Sequence, residues 1–240
     1  MQSRRAIFAN TKIDPSTHVG LWWDKFLRLQ QDKNEAPPNN KRDKERVAAE
    51  QRANGDHIGS LQTRAVSLGY KAAFLRWRTE LEMDTDAVLR EAKANGRLVV
   101  GIGEKGVMEV GLRLHHTWGV PYLPGSALKG VAAAAAHKLL EDDAWRRGED
   151  AGELHTFLFG TTNAAGAICF QDALWVPNTK EVPIHLDVMT VHHPEYYRGE
   201  PVPPSDTDDP NPIPFASAAG SYMVALTPRL GVWTVDERDE

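Results

Sequence analysis

Cysteine is nearly absent: Cys169 stands alone. One thiol excludes an intrachain disulfide and a thiolate metal cluster, and it fits a reducing compartment. Long apolar runs are missing as well, so no stretch reads as a membrane span. The opening MQSRRAIFANTKID lacks the apolar core of a secretory signal, and the expectation is a cytoplasmic protein. A surplus of positive charge, the usual footprint of a nucleic-acid binder, is also lacking: the formal net charge is −5. That deficit is local. Residues 1–56 carry 11 lysines and arginines against 8 acids, whereas residues 186–240 carry 3 against 10. Basic surface elsewhere stays open, and composition neither supports nor forbids an RNA partner.

What is present is enough for a substantial core, since 41% of the 240 residues are hydrophobic. One stretch organises the rest: Leu123-Pro124-Gly125-Ser126-Ala127-Leu128-Lys129-Gly130. Pro124 stiffens the entry, Gly125 permits a tight turn, and Ser126 is suited to cap a helix. Leu128, Val131, Ala132, Ala135, Leu139 and Leu140 then recur at helical spacing and are expected to form its buried side. Unpaired N–H groups in the first turn, with Lys129 beside them, attract an anion such as phosphate. A capped helix with a solvated lysine explains the same spacing, so the surrounding pattern has to decide.

In chain order, residues 20–31 hold Trp22, Trp23 and Phe26, which read as core or interface anchors. From Asp32 to Asp56 large apolar residues nearly vanish, which predicts a charged, mobile insertion or an exposed helix. Residues 60–82 are helical in pattern, decorated by Arg64, Lys71, Arg76 and Arg78. A second helix is expected over roughly 85–94, ending near Gly96. The period then changes. Leu98 to Ile102 read as a strand, and Met108, Val110, Leu112 and Leu114 alternate with polar or small residues, which predicts a hairpin. Gly101-Ile102-Gly103-Glu104-Lys105-Gly106 matches the dinucleotide fingerprint in letters, but a strand follows where the fingerprint needs a helix. Gly166–Val176 reads as a further strand with Asp172 at a polar position. A proline-rich loop is expected over 186–212, densest from 190, and then a hairpin, Ile213–Ala218 with Ser221–Leu226, turning at Ala219-Gly220.

Two catalytic constellations are thinkable. His185, Asp187, His192 and His193 are competent metal ligands, and a bound ion would activate water for a nuclease or hydrolase. His185 and Asp187 share a strand face, whereas His192-His193 fall in the loop, and no H-E-x-x-H spacing brings them together. Ser126 and Lys129 match Ser-x-x-Lys, but a Ser at a helix start before a surface Lys gives the same spacing. We therefore expect no enzyme, no metal and no cofactor.

Four pieces, in order, resemble the RAMP proteins of CRISPR effectors, and among them the family of subunit six of the type III-B (Cmr) complex. They are Gly20–Lys25 (GLWWDK), Gly119–Gly130 (GVPYLPGSALKG), Phe159-Gly160 with Gly166–Leu174 (GAICFQDAL), and Asp187–Phe215 with its Tyr-Tyr, Gly and Asn-Pro-Ile-Pro. The resemblance implies a single RAMP domain over 1–240 with an RRM-like, ferredoxin-like α+β fold. It implies an antiviral ribonucleoprotein in which this subunit holds guide RNA (crRNA), meets target RNA and neighbouring RAMP subunits, and leaves cleavage to another subunit. The residues expected at RNA are Gly125, Ser126, Lys129, Gly130, Lys105, His192, Tyr196 and Tyr197. Two departures stand out. Relatives carry an arginine soon after the SLKG element, where this chain reads VAAAAA. They also continue into a glycine-rich GAKTxxGYG segment, which the fold here is expected to lack.

Overall fold

The computed structural model describes residues 11–14, 16–27, 41–62, 64–103, 108, 111–177, 181–191, 193–205 and 211–229. Lys105 and His192 lie outside the described residues. In chain order the first elements are α1 (Val19–Lys25), α2 (Lys41–Gly59), α3 (Leu68–Met83), β1 (Val88–Lys93), β2 (Tyr122–Leu123) and α4 (Gly125–Leu139). A short 3-10 turn, Asp143–Trp145, precedes α5 (Glu153–Phe159), β3 (Ile168–Phe170) and β4 (Ala173–Trp175). The last are β5 (Ile184–Val191), α6 (Pro194–Tyr197), β6 (Asn211–Ala218) and β7 (Ser221–Pro228). Helices and antiparallel strands are mixed, which is the expected α+β class.

The chain divides into two compact units. The first holds Met1–Ser67, Asn95–Pro121 and Lys180–Gly220. Its sheet is the β5–β6 ribbon, in register from Ile184 opposite Ala218 to Val191 opposite Asn211. Trp22 and Trp23 of α1, Ile58 of α2, and Leu61, Met108 and Leu112 pack with Ile184, Ala216 and Ala218 into one core. Trp22 stacks on Phe26 and His57, and its indole N–H donates to the Ser60 hydroxyl at 3.1 Å. The two tryptophans are thus core anchors, with the polar edge of Trp22 satisfied. His18 caps α1: its Nδ1 accepts the Leu21 N–H at 3.1 Å, and its Nε2 lies 2.9 Å from the Thr117 carbonyl. Gly119 (φ +62°) meets Gly20 at that joint, where a Cβ would fall 2.9 Å from the Gly20 nitrogen.

The second unit holds Leu68–Ala94, Tyr122–Thr179 and Ser221–Glu240. Its sheet runs β1-β7-β4-β2, with β3 pairing β7 beyond β4, and every pairing is antiparallel. Tyr70 and Phe74 of α3 are buried, as are Trp175, Tyr222, Met223 and Ala225 of the sheet. The Tyr70 hydroxyl donates to the Trp175 carbonyl, which joins helix to sheet.

Several expectations are corrected. Residues 88–93, inside the helix expected from a Thr85 or Asp84 cap, form β1 along most of β7, from Val88–Leu226 to Lys93–Ser221. Helix preference amounts to tenths of a kcal/mol per residue (about 0.5 at most here), and six paired residues outweigh it. Among the described residues, 97–118 contribute isolated bridges, Leu98 to Ala218 and Leu114 to Pro121, and no hairpin. Ile213–Ala218 and Ser221–Leu226 do not pair with each other. They belong to different sheets, parted at Gly220 (φ +104°). The strand expected over 166–176 is two short strands broken at Gln171-Asp172. Within 32–56 the helical alternative is seen from Lys41 onward, and that helix continues to bury Ile58. The loop expected from 186 is shorter: β5 continues to Val191, and β6 begins at Asn211 despite Pro212 and Pro214. Those prolines stand two residues apart, so both missing N–H groups fall on one edge of β6, which a two-stranded ribbon tolerates.

Candidate nucleic-acid interface

The antiparallel register of β2 with β4 builds the organising stretch. Tyr122 lies opposite Leu174 and Leu123 opposite Ala173, which brings Asp172 level with the start of α4. The Asp172 carboxylate accepts the Gly125 N–H at 2.8 Å. Pro124 occupies the N-cap position, and no side chain of the cap residue bonds the helix end. Ser126 is therefore not the cap. It is the second helical residue, exposed, and the anionic place at the helix start is taken by Asp172 from the break between β3 and β4. Sequence pattern marked Asp172 only as a polar position; its role depends on the β2–β4 pairing.

Gly125 is buried, and an added Cβ would sit 2.0 Å from the Phe170 carbonyl oxygen. Gly130 is exposed and meets nothing within 4 Å. The buried stripe of α4 runs through Gly125 and Ala133, with Leu128, Lys129 and Ala132 half-buried. Val131 and Leu139, expected inside, are exposed, and Leu140 is the C-cap. The apolar residues alone set the phase wrongly, because glycine and alanine are what the close approach of α4 admits. Lys129 lies on the stripe's line, one turn from Gly125 and one from Ala133. A half-buried lysine can lay its aliphatic stem along the protein and keep its ammonium in water.

His185 and Asp187 do share a face of β5. The His185 Nε2 lies 3.0 Å from the Val182 carbonyl, and the Ser217 hydroxyl, opposite His185 in the ribbon, donates to Asp187. Arg97, brought alongside by the Leu98–Ala218 bridge, places Nη1 3.7 Å from the Asp187 carboxylate and 3.5 Å from the Ser217 oxygen. Burial first, and then the Arg97 charge, push the His185 imidazole below its ordinary value. Arg97 and Ser217 were not legible in sequence: neither sits in a motif. Among the described residues no group of three His, Cys, Asp or Glu side chains is placed to hold a metal.

His193, Tyr196 and Tyr197 gather at α6, with ring centroids 6.4 Å apart for His193–Tyr197 and 5.9 Å for the edge-on tyrosine pair. Both tyrosines are exposed. Such rings offer faces to a partner with a flat apolar group. Arg198 beside them is held by Glu200 at 3.0 Å. No described helix is long and apolar enough to cross a membrane.

Comparison with known proteins places this geometry. The model of the RAMP superfamily matches residues 91–217, which include β2, α4, β5 and the α6 loop. The CRISPR system Cmr subunit Cmr6 of Pyrococcus furiosus is 28% identical over 204 residues, covering 62% of this chain and 59% of that protein. The chain thus spans less than two thirds of that curated relative's length. A chain in the cryo-EM structure of the type III-B Cmr-beta complex bound to cognate target RNA superposes with a TM-score of 0.57 at 17% identity. That match covers 82% of this chain and 66% of the other, a likeness of fold.

Proposed function

This chain belongs to the RAMP superfamily, and from that premise we propose that it is a guide-RNA-binding, non-catalytic backbone subunit of a type III-B CRISPR effector. The similarity to Cmr6 supports membership of such a complex, with other RAMP subunits and target RNA as further partners. The observation that carries the RNA reading is the strand–loop–helix element, in which Gly125 lets α4 press against Phe170 and Lys129 stands half-buried one turn along. A guide varies in sequence, so its holder has to read phosphates and sugars rather than base edges. Because Asp172 already takes the first free N–H of α4, the phosphate contact falls to the Lys129 ammonium. Tyr196 and Tyr197 add exposed rings on which an unpaired base can stack, whatever its identity. Gly130 leaves the backbone open beside Lys129.

The test is RNA affinity of the assembled complex at several salt concentrations with two unrelated guides. Lys129→Ala should weaken both guides equally and lower the salt slope by about one phosphate's worth. Lys129→Arg should keep most of the affinity, since charge matters more here than donor geometry. No change in affinity or slope would leave α4 a structural helix only. The non-catalytic part has its own measurement. His185 and Asp187 spend polar atoms on Val182, Arg97 and Ser217. Alanine at His185, Asp187 or His193 should therefore leave target-RNA cleavage intact wherever assembly is preserved. Loss of cleavage alone would favour the metal-dependent hydrolase instead.

A further inference from the structure

The chain contains two Asn-Gly pairs, Asn54-Gly55 and Asn95-Gly96, and the fold treats them differently. In such a pair the side-chain amide is open to attack by the following main-chain nitrogen, because glycine has no Cβ to obstruct the ring that forms. The attack also requires that nitrogen to be free of a helix or strand ladder, in a main chain with room to turn.

Asn54-Gly55 fails both conditions. It lies inside α2, where the Gly55 N–H belongs to the helix's own ladder and the Asn54 Oδ1 is buried. A Cβ at Gly55 would stand 3.7 Å from Pro214, so β6 packs close by. Asn95-Gly96 meets both conditions. The two residues are exposed, in a bend between the end of β1 at Lys93 and the Leu98–Ala218 bridge. Among the described residues, Ala94, Asn95 and Gly96 find no main-chain hydrogen-bond partner. A Cβ at Gly96 would meet nothing within 4 Å.

We propose that Asn95 is a site of spontaneous deamidation, selected over Asn54 by the fold. The Gly96 nitrogen bonds to the Asn95 Cγ, the Cγ–Nδ2 bond breaks, and ammonia leaves with the proton taken from the Gly96 nitrogen. Water then opens the five-membered imide. Opening at Cγ leaves aspartate. Opening at the main-chain carbonyl leaves isoaspartate, with the main chain rerouted through Cγ and one methylene longer. No oxidant or reductant takes part. Either product places a new carboxylate two residues before Arg97, the cation that lies beside Asp187 and Ser217.

The experiment holds the full 240-residue chain folded at mildly alkaline pH and physiological temperature, and follows amide-to-acid conversion at both asparagines by peptide mapping and mass spectrometry. A protein-isoaspartate methyltransferase reads the isoaspartate product. Asn95 should convert at least about tenfold faster than Asn54, which has to wait for α2 to open locally. In urea the two rates should converge. Gly96→Ala, whose Cβ falls in open space, should slow conversion at Asn95 severalfold. Asn95→Gln should abolish the methyltransferase signal from this peptide, since the longer side chain closes a less favourable ring. If Asn95 stays intact in the folded chain, or converts no faster than Asn54, the proposal is overturned. A difference that survives in urea also overturns it, because neighbouring residues and not the fold would then set the rates.

Discussion

Gly125 and Gly130 stand five residues apart in α4 and meet different surroundings. A Cβ at Gly125 collides with the Phe170 backbone, which belongs to a paired strand and cannot yield cheaply. Gly125→Ala should therefore destabilise the fold by about 2–4 kcal/mol, in the range of overpacked buried sites. Gly130→Ala meets open space inside a helix and should stabilise it by about 0.5–1 kcal/mol. Urea denaturation of both variants checks the contrast, and similar values would deny the close approach of α4 to β3. His185 makes a second prediction at this scale. Its imidazole is held below the ordinary value of 6.5 by burial and by Arg97. Below that value the unfolded chain takes up a proton that the folded chain refuses, so stability is intact above pH 6.5 and falls as the pH drops through it. His185→Gln keeps an N–H for Val182 without the titration. Its stability should fall less between neutral and mildly acidic pH than that of the parent, and an unchanged slope would assign the acid sensitivity elsewhere.

At the scale of elements, the start of α4 depends on a residue 47 positions away. Asp172→Ala removes the acceptor for the Gly125 N–H and a negative charge at the helix's positive end. Its cost should be about 1 kcal/mol, the usual value of a lost cap. Ser126→Ala, which motif reading expects to matter, should be nearly silent in stability because Ser126 is exposed and caps nothing. Thermal denaturation of the two variants decides between them, and a larger loss from Ser126→Ala would restore the motif's own cap. Strand β1 shows the same dependence on neighbours. Its residues prefer helix when alone, and its place beside β7 gives them a ladder instead.

For the molecule as a whole, the second unit rests on a phenol-lined joint. Tyr70 and Tyr222 are buried where α3 and the sheet contribute to one core, and desolvation pushes both hydroxyls well above their ordinary value of 10.0. The folded state keeps protons that the unfolded chain gives up. The associated stability is whole below pH 10 and is lost as the pH rises beyond it. In an alkaline titration followed by tyrosinate absorbance, two of the chain's five tyrosines should ionise only together with unfolding. Ionisation of all five before any loss of ellipticity would show that this core admits solvent.

The α+β class was implied by the resemblance to RAMP proteins, whereas the helix after Pro124, the core role of Trp22 and Trp23 and the shared face of His185 and Asp187 were legible in the residues themselves. Each is set by residues near in the chain: a proline at a helix entry, large apolar groups on a short amphipathic element, the period of two along a strand. Partners distant in sequence were not legible. Nothing in local spacing or propensity tells that 88–93 will lie against 221–226, that Ala219-Gly220 will send β6 and β7 into different sheets, or that Asp172 will reach Gly125. Arg97 joins Asp187 and Ser217 only because Leu98 bridges Ala218. Local propensities differ by tenths of a kcal/mol per residue (about 0.5 between most types), whereas strand pairing and burial act over whole elements at once. The sequence by itself therefore determined which segments are apolar and where the helix after Pro124 begins. Tertiary structure decided which segments pair, and so which carboxylate fills the helix start, because pairing brings together residues far apart in the chain.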